Sequence, residues 1–332
     1  MDTHITLAHG NGGRLMRELI EELFVPAFKN RLLDISVDAV QLPQLDGQDL
    51  VVTTDGFTVN PLEFSGGNIG SLAVHGTVND LAVAGAVPKY LTLSVFLEEG
   101  LEIEVLKRVI DACGTAARSC GVAIVAGDTK VLGRGECDGI YLSATGIGFR
   151  PRTIVLGMRQ VRTGDRLIVS GPVGDHGAAV LLAREEFGFV GDLASDADSV
   201  LPQAQALLAV PGLRFMRDPT RGGLATVANE IARATGLTVQ LYESLIPIGE
   251  SVQAVCELLG FDPLYLACEG RILAVVAQDS CDIALKALRL VSPLAAIIGE
   301  ISEGQPRVLL KTGFGGQRLL DELDDDPLPR IC

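Results

Sequence analysis

Residues 90–128 read YLTLSVFLEEGLEIEVLKRVIDACGTAARSCGVAIVAGD and carry the clearest secondary-structure pattern of the chain. Residues 90–97 are apolar and rich in β-forming side chains, which predicts a strand. Residues 101–120 place apolar side chains at helical spacing and predict an amphipathic helix of about five turns. Residues 122–126 predict a second strand, which stops at Gly127-Asp128. This alternation indicates an α/β fold.

The same alternation continues on both sides of that stretch. Residues 49–54 predict a strand that stops at Asp55-Gly56, and residues 140–149 predict another. Residues 68–84 predict a helix, although the glycine at position 76 weakens it unless close packing or a ligand requires a glycine there.

A change of pattern near residues 151–163 predicts a domain boundary, and a second α/β unit opens at residues 165–170. We expect one domain over residues 1–155, a second over residues 156–318 and a mobile tail over residues 319–332.

Composition excludes several classes of protein. The 332 residues are 48% hydrophobic and carry a net charge of −15, which supports a buried core but not a basic surface for nucleic acid. The sequence contains neither a signal-peptide pattern nor an apolar run of the roughly 18 residues that a membrane span needs. Seven cysteines without a Cys-x-x-Cys pair indicate reduced thiols. We therefore expect a cytoplasmic protein without nucleic-acid or membrane partners.

Three aspartates, Asp55, Asp80 and Asp128, each end a predicted element beside a glycine or a small residue. Each one alone fits a turn or helix-cap residue. Together they place carboxylates on loops at one sheet edge, which suits Mg²⁺ bound to phosphates.

Two further features of the first half fit phosphate binding. Lys130 follows Asp128 by two residues and fits a phosphate contact or an acid-base group, or else a solvated surface lysine. Gly12 and Gly13, in the run HGNGG, allow backbone N–H groups to approach an anion.

The second half adds a helix start and a carboxylate. Residues 218–223, DPTRGG, open a predicted helix that carries Asn229, and we expect Asp or Thr to cap its start. The positive end of such a helix attracts anions. Glu269 lies just before a predicted buried strand, where a turn residue paired with Arg271 is the plainer interpretation.

The chain ends in PLPRIC, residues 327–332. Its two prolines fix their own φ and extend the residues before them, which indicates a short semi-rigid arm with Cys332 at its tip. A frayed end with an incidental cysteine is the plainer alternative. We expect this thiol not to be activated by its own chain, because its α-carboxylate and the acidic run 321–326 disfavour the thiolate.

Taken together, the motifs resemble the HypE family of NiFe-hydrogenase maturation proteins, within the aminoimidazole-ribonucleotide synthetase-like, or PurM-like, superfamily. The likeness covers essentially the full chain. The terminal PRIC is specific to HypE, whereas the internal motifs are shared with other members of the superfamily. The matching segments are residues 7–13, 61–70, 79–86, 127–131, 218–223 and 329–332.

This resemblance implies a two-domain PurM-like fold and a homodimer whose N-terminal domains pair into a shared β-barrel, with ATP and Mg²⁺ near the interface. It implies that a carbamoyltransferase, HypF, loads a carbamoyl group onto Cys332. The enzyme then dehydrates that group to a thiocyanate with ATP, and the CN group passes to iron on the HypC–HypD complex.

The resemblance also implies a set of site residues. Dehydration requires the carbamoyl oxygen to become a leaving group, which phosphorylation by ATP achieves, and a base must remove an N–H proton. Many relatives carry adjacent acidic residues near position 38, whereas Asp38 stands alone here. The implied Mg²⁺ ligands are Asp38, Asp55, Asp80 and Asp128, the implied proton-transfer residues are Glu269 and Lys130, and the further nucleotide contacts are Gly12, Gly13 and Asn229.

Two other functions fit part of the pattern. A small-molecule kinase or a selenophosphate synthetase of the same superfamily shares the aspartates and glycines but not the tail. A selenophosphate synthetase would also carry a reactive cysteine near the N-terminus, whereas the first cysteine here is Cys113. The non-enzymatic alternative is a scaffold that docks maturation partners through its acidic tail and would still bind them without Cys332.

Overall fold

A computed structural model describes residues 3–6, 9, 18–30, 46–184, 193–322, 328 and 330–332. Three of the predicted site residues, Gly12, Gly13 and Asp38, lie outside the described residues. The described chain is built around two sheets, one of four strands and one of seven.

The first half forms the four-stranded sheet. Its elements are α1 (Val25–Phe28), β1 (Gln48–Phe57), β2 (Glu63–Phe64), β3 (Gly67–Asn68), α2 (Ile69–Val83), β4 (Val87–Glu98), α3 (Ile103–Ser119), β5 (Ala123–Leu132) and β6 (Ile140–Pro151), with a π-helical turn at Ile20–Phe24. The strand order is β1-β6-β4-β5. Helix α3 connects strands β4 and β5, which pair with each other in parallel. Residues 90–128 therefore form the α/β unit that their pattern predicts.

The second half forms the seven-stranded sheet. Its elements are β7 (Arg166–Val169), α4 (Asp175–Arg184), α5 (Leu201–Leu208), β8 (Leu213–Arg217), α6 (Gly223–Thr235), β9 (Thr238–Tyr242), α7 (Glu250–Leu259), β10 (Leu273–Val276), α8 (Cys281–Arg289), β11 (Ala296–Ser302), β12 (Arg307–Lys311) and β13 (Gln317–Leu319). The strand order is β13-β12-β9-β11-β7-β10-β8. Leu167 and Val169 pack into one apolar cluster and Ile168 into another, because successive strand residues face opposite sides of the sheet. Within the described ranges, no helix is long and apolar enough to cross a membrane.

Helix α2 lies against β1, and its start is set by side chains within a few residues of it. The Asn68 side chain accepts hydrogen bonds from the N–H groups of Gly70 and Ser71, and the Ser71 hydroxyl accepts one from the Asn68 N–H. This capping box fixes the start of the helix where the sequence predicts it. A Cβ at Gly76 would lie 3.1 Å from the Phe57 ring, so close packing explains the glycine.

The prediction that Asp55, Asp80 and Asp128 lie on loops at one sheet edge is wrong. Asp55 lies within β1 and Asp128 within β5, and Asp80 lies within α2. The strands continue through the glycine-aspartate pairs because neighbouring strands still pair with them: Asp55 opposes Ala144 and Asp128 opposes Ser94.

Candidate active site

A cavity of about 390 Å³ lies between the two halves. The first half lines it with Asp55, Gly56, Phe57, Gly76 and Asp80. The second half contributes Arg217, Asp218, Thr220, Arg221, Glu230 and Glu269. Cys332 also lines this cavity, so four predicted site residues from distant parts of the sequence meet there.

The chain terminus is held in this cavity by hydrogen bonds. The Thr58 N–H donates to a terminal carboxylate oxygen of Cys332 at 3.0 Å, and Nε of Arg221 donates to Sγ of Cys332 at 3.3 Å. The preceding residue, Ile331, is buried, and its carbonyl accepts a hydrogen bond from Nε2 of His176 at 2.8 Å. The terminal thiol therefore has a defined position next to the cavity's charged side chains.

The environment of Cys332 does not activate its thiol. Burial, and then the charge of nearby Glu269, raises the pKa of the Cys332 thiol to about 11, although Arg221 lowers it in part. The direction agrees with the expectation from the sequence. The main cause differs, because it is burial and not the acidic run 321–326.

Three carboxylates of the cavity crowd one another. Burial, and then the charge of Asp80 and a hydrogen bond with it, raises the pKa of Asp55 to about 6. Burial, and then the charge of Asp80, raises the pKa of Asp218 to about 7. The Thr53 hydroxyl donates to Oδ2 of Asp80 at 2.6 Å and fixes that side chain. Carboxylates this close together require a shared proton or a cation.

Glu269 is only 2% exposed and forms part of the cavity wall. Burial, and then the surrounding carboxylates, raises the pKa of Glu269 well above its usual value. Its backbone is fixed on both sides, because its N–H donates to Asp196 at 3.1 Å and its carbonyl accepts from Asn79 at 2.9 Å. Arg271 pairs with Asp175 and Asp196, so a turn residue paired with Arg271 is the wrong interpretation of Glu269.

Asp128 and Lys130 lie apart from the cavity within one chain. They form an ion pair with each other at 3.2 Å. Asp55 and the buried Leu93 both pair with Ala144, from opposite sides of β6. Asp128 pairs with Ser94, the residue after Leu93 on β4. Since strand residues alternate between faces, Asp128 and Lys130 occupy the outer face of the sheet and Asp55 the inner face.

Asn229 does not reach the cavity either. Its side-chain amide donates to the carbonyls of Ala225 at 3.0 Å and Leu320 at 2.9 Å. These bonds tie α6 to the end of the last strand, which is a structural role.

The start of helix α6 differs from the prediction. Its N-cap is Gly222, which makes no side-chain capping bond, so the expected cap by Asp218 or Thr220 is wrong. Gly222 and Gly223 have φ of 67° and 59°. A Cβ on Gly223 would lie 2.5 Å from the Leu266 carbonyl oxygen, so the glycines let the helix start pack against the segment before Glu269.

Sequence reasoning missed several residues that line the cavity. Asp218 and Arg221 stand in the DPTRGG motif but were interpreted as part of a helix start. Their motif was a sufficient signal for their location but not for the burial of Asp218, which is 6% exposed. His176 does not line the cavity but donates to the carbonyl of Ile331, and its run GPVGDHG gave no signal for that contact.

The donor set decides whether the cavity suits a metal. Among the described residues, no three carboxylate, imidazole or thiol groups are arranged to hold a metal alone. Mg²⁺ commonly uses one or two carboxylates together with substrate phosphates and water. The hydrogen-bonded pair Asp55 and Asp80 fits that arrangement, because a divalent cation can replace the shared proton.

Comparison with known proteins places this chain in a family. Residues 37–149 match the N-terminal domain of AIR synthase related proteins, and residues 162–311 match the C-terminal domain. The chain is 45% identical over 332 residues to "Carbamoyl dehydratase HypE" of Azotobacter vinelandii. The match covers 99% of this chain and 97% of that protein. A crystal structure of the hydrogenase maturation protein HypE in complex with ATP has a TM-score of 0.93 at 41% identity, covering 98% of this chain and 99% of that chain.

A second crystal structure, of a HypE–HypF complex, has a TM-score of 0.80 at 40% identity, covering 92% of this chain and 99% of that chain. These matches confirm both the resemblance drawn from the motifs and the two-domain α/β fold class. The chain belongs to the HypE family of carbamoyl dehydratases, built from the two AIR synthase related domains.

Proposed function

We propose that this enzyme dehydrates an S-carbamoyl group on its own Cys332 to a thiocyanate, with ATP as co-substrate, and so supplies the CN ligand for hydrogenase iron. The observation that carries this proposal is the position of the terminal thiol, which lies in the cavity beside Asp55, Asp80 and Glu269. A docked substrate cysteine among buried carboxylates suits a reaction that moves protons and phosphate. The ATP complex of a HypE relative supports the choice of co-substrate.

The atoms of this reaction balance as follows. The carbamoyl oxygen leaves in inorganic phosphate, and the nitrogen loses both of its protons as the C≡N bond forms. Bound ATP supplies the phosphoryl group that makes the oxygen a leaving group. Glu269 lies next to the docked thiol and accepts one of these protons, and the phosphate leaving group carries the other. Its raised pKa makes its carboxylate a stronger base than a solvated one.

Several groups of this chain are suited to the phosphates and to Mg²⁺. We assign Asp55 and Asp80 as carboxylates that would hold Mg²⁺, with Asp38 and Asp128 as further ligands. Arg221 and the N-terminus of the 13-residue helix α6 line the same cavity and favour phosphate oxygens.

A homodimer would explain the location of Asp128 and Lys130. The outer face of β1 exposes 62% of Leu50 and 56% of Val52, and the described residues leave this face uncovered. Pairing that face with a second copy would bury the apolar side chains. Because β1 and β5 are the two edge strands of the sheet, the pairing would also place Asp128 and Lys130 at the rim of the interface, and from there Lys130 would reach past β1 of the other copy to phosphate in its cavity.

The remaining assignments follow from this scheme. We assign residues 1–155 to ATP binding and dimerisation, residues 156–318 to the C-terminal domain and residues 319–332 to the substrate tail. HypF would load the carbamoyl group, as the complex of a HypE relative with HypF supports. The HypC–HypD complex would accept the CN group.

Mass spectrometry of the S-carbamoyl protein tests the proposed function. The chain is loaded with a HypF protein and carbamoyl phosphate, freed of both, and incubated with or without ATP and Mg²⁺. We expect Cys332 to lose the mass of one water only with ATP. A Cys332→Ser chain controls for loading elsewhere. Retention of the carbamoyl adduct in the presence of ATP would overturn the proposal.

A further inference from the structure

The last residues of the chain occupy a groove between the two halves. This tail groove is formed by Thr58, Asn60, Asp138, His176 and Arg184. The carbonyls of Arg330 and Ile331 and the terminal carboxylate of Cys332 all accept hydrogen bonds from it. In order, the donors are the Asn60 N–H at 3.3 Å, Nε2 of His176 at 2.8 Å and the Thr58 N–H at 3.0 Å. The Arg184 guanidinium donates to the first of these carbonyls as well. The groove therefore binds the tail backbone residue by residue.

The side chains of the tail are recognised as well. Arg330 forms an ion pair with Asp138, and its guanidinium lies 5.6 Å from the centre of the Tyr141 ring. Leu328 and Ile331 are 5% and 3% exposed and join an apolar cluster that contains residues of both halves. The groove thus selects an arginine by charge and stacking, and two aliphatic residues by burial.

His176 is oriented for this task by its own partners. A carbonyl only accepts, so Nε2 of His176 carries the proton that is donated to Ile331. Nδ1 then accepts from the Ser195 hydroxyl at 2.7 Å, and that hydroxyl accepts from the Ala197 N–H at 3.0 Å. The ring also packs edge-on against Phe64, with 5.3 Å between centroids. The donor is therefore fixed by residues outside the tail, which keeps the groove preorganised.

We propose that the tail groove binds the sequence Leu-Pro-Arg-Ile-Cys as a free peptide, and that the S-carbamoyl form of this peptide is dehydrated in trans. The contacts described above all come from residues 328 and 330–332. The covalent connection then contributes mainly an effective concentration, on the order of millimolar for a short flexible linker. The substrate class would extend from the enzyme's own terminus to any chain that ends in this sequence. The trans reaction rests on the proposed function, whereas the binding does not.

Peptide binding tests the first part without ATP. The protein is the full chain with Arg330→Glu and Ile331→Asp, changes that weaken docking of its own tail. We expect saturable fluorescence anisotropy with labelled Leu-Pro-Arg-Ile-Cys and at least about tenfold weaker binding of Leu-Pro-Glu-Ile-Cys. A second chain with Asp138→Arg and Ile331→Asp keeps Arg330, which the introduced arginine repels, and should show the reverse preference. Equal binding of both peptides and a scrambled one, or no binding up to about ten millimolar, overturns the proposal.

Competition in the unchanged chain provides a second measurement that needs no variant. Unlabelled Leu-Pro-Arg-Ile-Ala should displace the native tail and speed the alkylation of Cys332, which the docked position shields. The Glu-containing peptide is the matched control and should have less effect. An alkylation rate that neither peptide changes at millimolar concentration contradicts the binding model.

The trans reaction is then tested with the S-carbamoyl peptide, ATP, Mg²⁺ and the Arg330→Glu, Ile331→Asp chain. We expect the peptide to lose the mass of one water, as its carbamoyl oxygen leaves in phosphate. The S-carbamoyl wild-type chain is assayed in parallel. If that chain reacts and a bound peptide does not, the trans activity is wrong. If neither reacts, the proposed function fails while peptide binding stands.

Discussion

The terminal thiol of Cys332, the proposed substrate group, is held where its own reactivity is low. Burial and the neighbouring Glu269 raise its pKa to about 11, compared with about 8.5 for a free cysteine. Because alkylation requires the thiolate, its rate should rise with pH along a curve whose midpoint lies above that of a free thiol.

This is measurable by mass spectrometry of Cys332 after timed alkylation over a range of pH values. The same measurement in denaturant releases the tail and should return the midpoint to about 8.5. A midpoint below 7 in the folded protein would contradict a buried, unactivated thiol.

Glu269 is the side chain on which the proposed proton transfer depends. Glu269→Gln keeps the volume and both backbone hydrogen bonds, to Asp196 and from Asn79, but removes the base. We expect carbamoyl loading to be unchanged and ATP-dependent dehydration to fall by at least about 100-fold. A single-turnover assay by mass spectrometry measures both steps, and circular dichroism checks the fold. Dehydration at the wild-type rate would show that another group removes the proton.

At the scale of elements, the start of helix α6 depends on close approach to the segment before Glu269. In Gly223→Ala the new Cβ would meet the Leu266 carbonyl oxygen at 2.5 Å and would also require φ near 59°. We expect a loss of more than about 1 kcal/mol in the free energy of unfolding. The matched control is Gly236→Ala, which has φ of 73° but nothing within 4 Å of the new atom.

Urea unfolding of both variants separates backbone strain from steric contact. Gly223→Ala should be clearly less stable than Gly236→Ala. Equal losses in the two variants would mean that the contact with Leu266 relaxes without cost, and that only the φ value matters.

The two faces of the four-stranded sheet give a test of the proposed homodimer. If Lys130 of one copy completes the cavity that holds Glu269 of the other, a mixed dimer of Lys130→Ala and Glu269→Gln chains contains one intact site. Random pairing makes half of the dimers mixed, so a co-expressed equal mixture should recover about a quarter of the wild-type dehydration rate. Each variant alone is the control, and no recovery in the mixture would place both residues in one chain's site.

At the scale of the whole molecule, the buried carboxylates link stability to pH. The pKa of Asp218 is raised from 3.8 to about 7 and that of Asp55 to about 6, so the folded state binds their protons more tightly than the unfolded state. Their contribution to stability is full below about pH 4 and is lost as the pH rises through about 6 to 7.

We therefore expect Asp218→Asn to stabilise the metal-free protein at pH 8 by at least about 1 kcal/mol, with little gain at pH 4. Chemical unfolding at both pH values, with EDTA present, measures the difference. Asp128→Asn is the control, because that side chain is 53% exposed. An equal effect of Asp218→Asn at both pH values would contradict a raised pKa.

Short-range patterns were sufficient for most elements. The apolar spacing of residues 101–120, the capping side chain of Asn68 and the β-rich run at residues 90–97 act within a few residues, so helices α2 and α3 and strand β4 could be predicted from them. The ends of β1 and β5 could not be predicted in this way. A glycine-aspartate pair looks like a turn locally, whereas pairing with neighbouring strands carries both strands through it.

The amino-acid sequence alone established the family, the α/β class and the chemical identity of the terminal thiol, because these follow from local spacing and from residue types. Tertiary packing was needed to separate Asp55, which faces α2 and the cavity, from Asp128, which faces outward. It was also needed to find Asp218, Arg221 and His176 around the docked tail. The physical reason is that burial, and with it each raised or lowered pKa, depends on which face of an element is covered by distant parts of the chain.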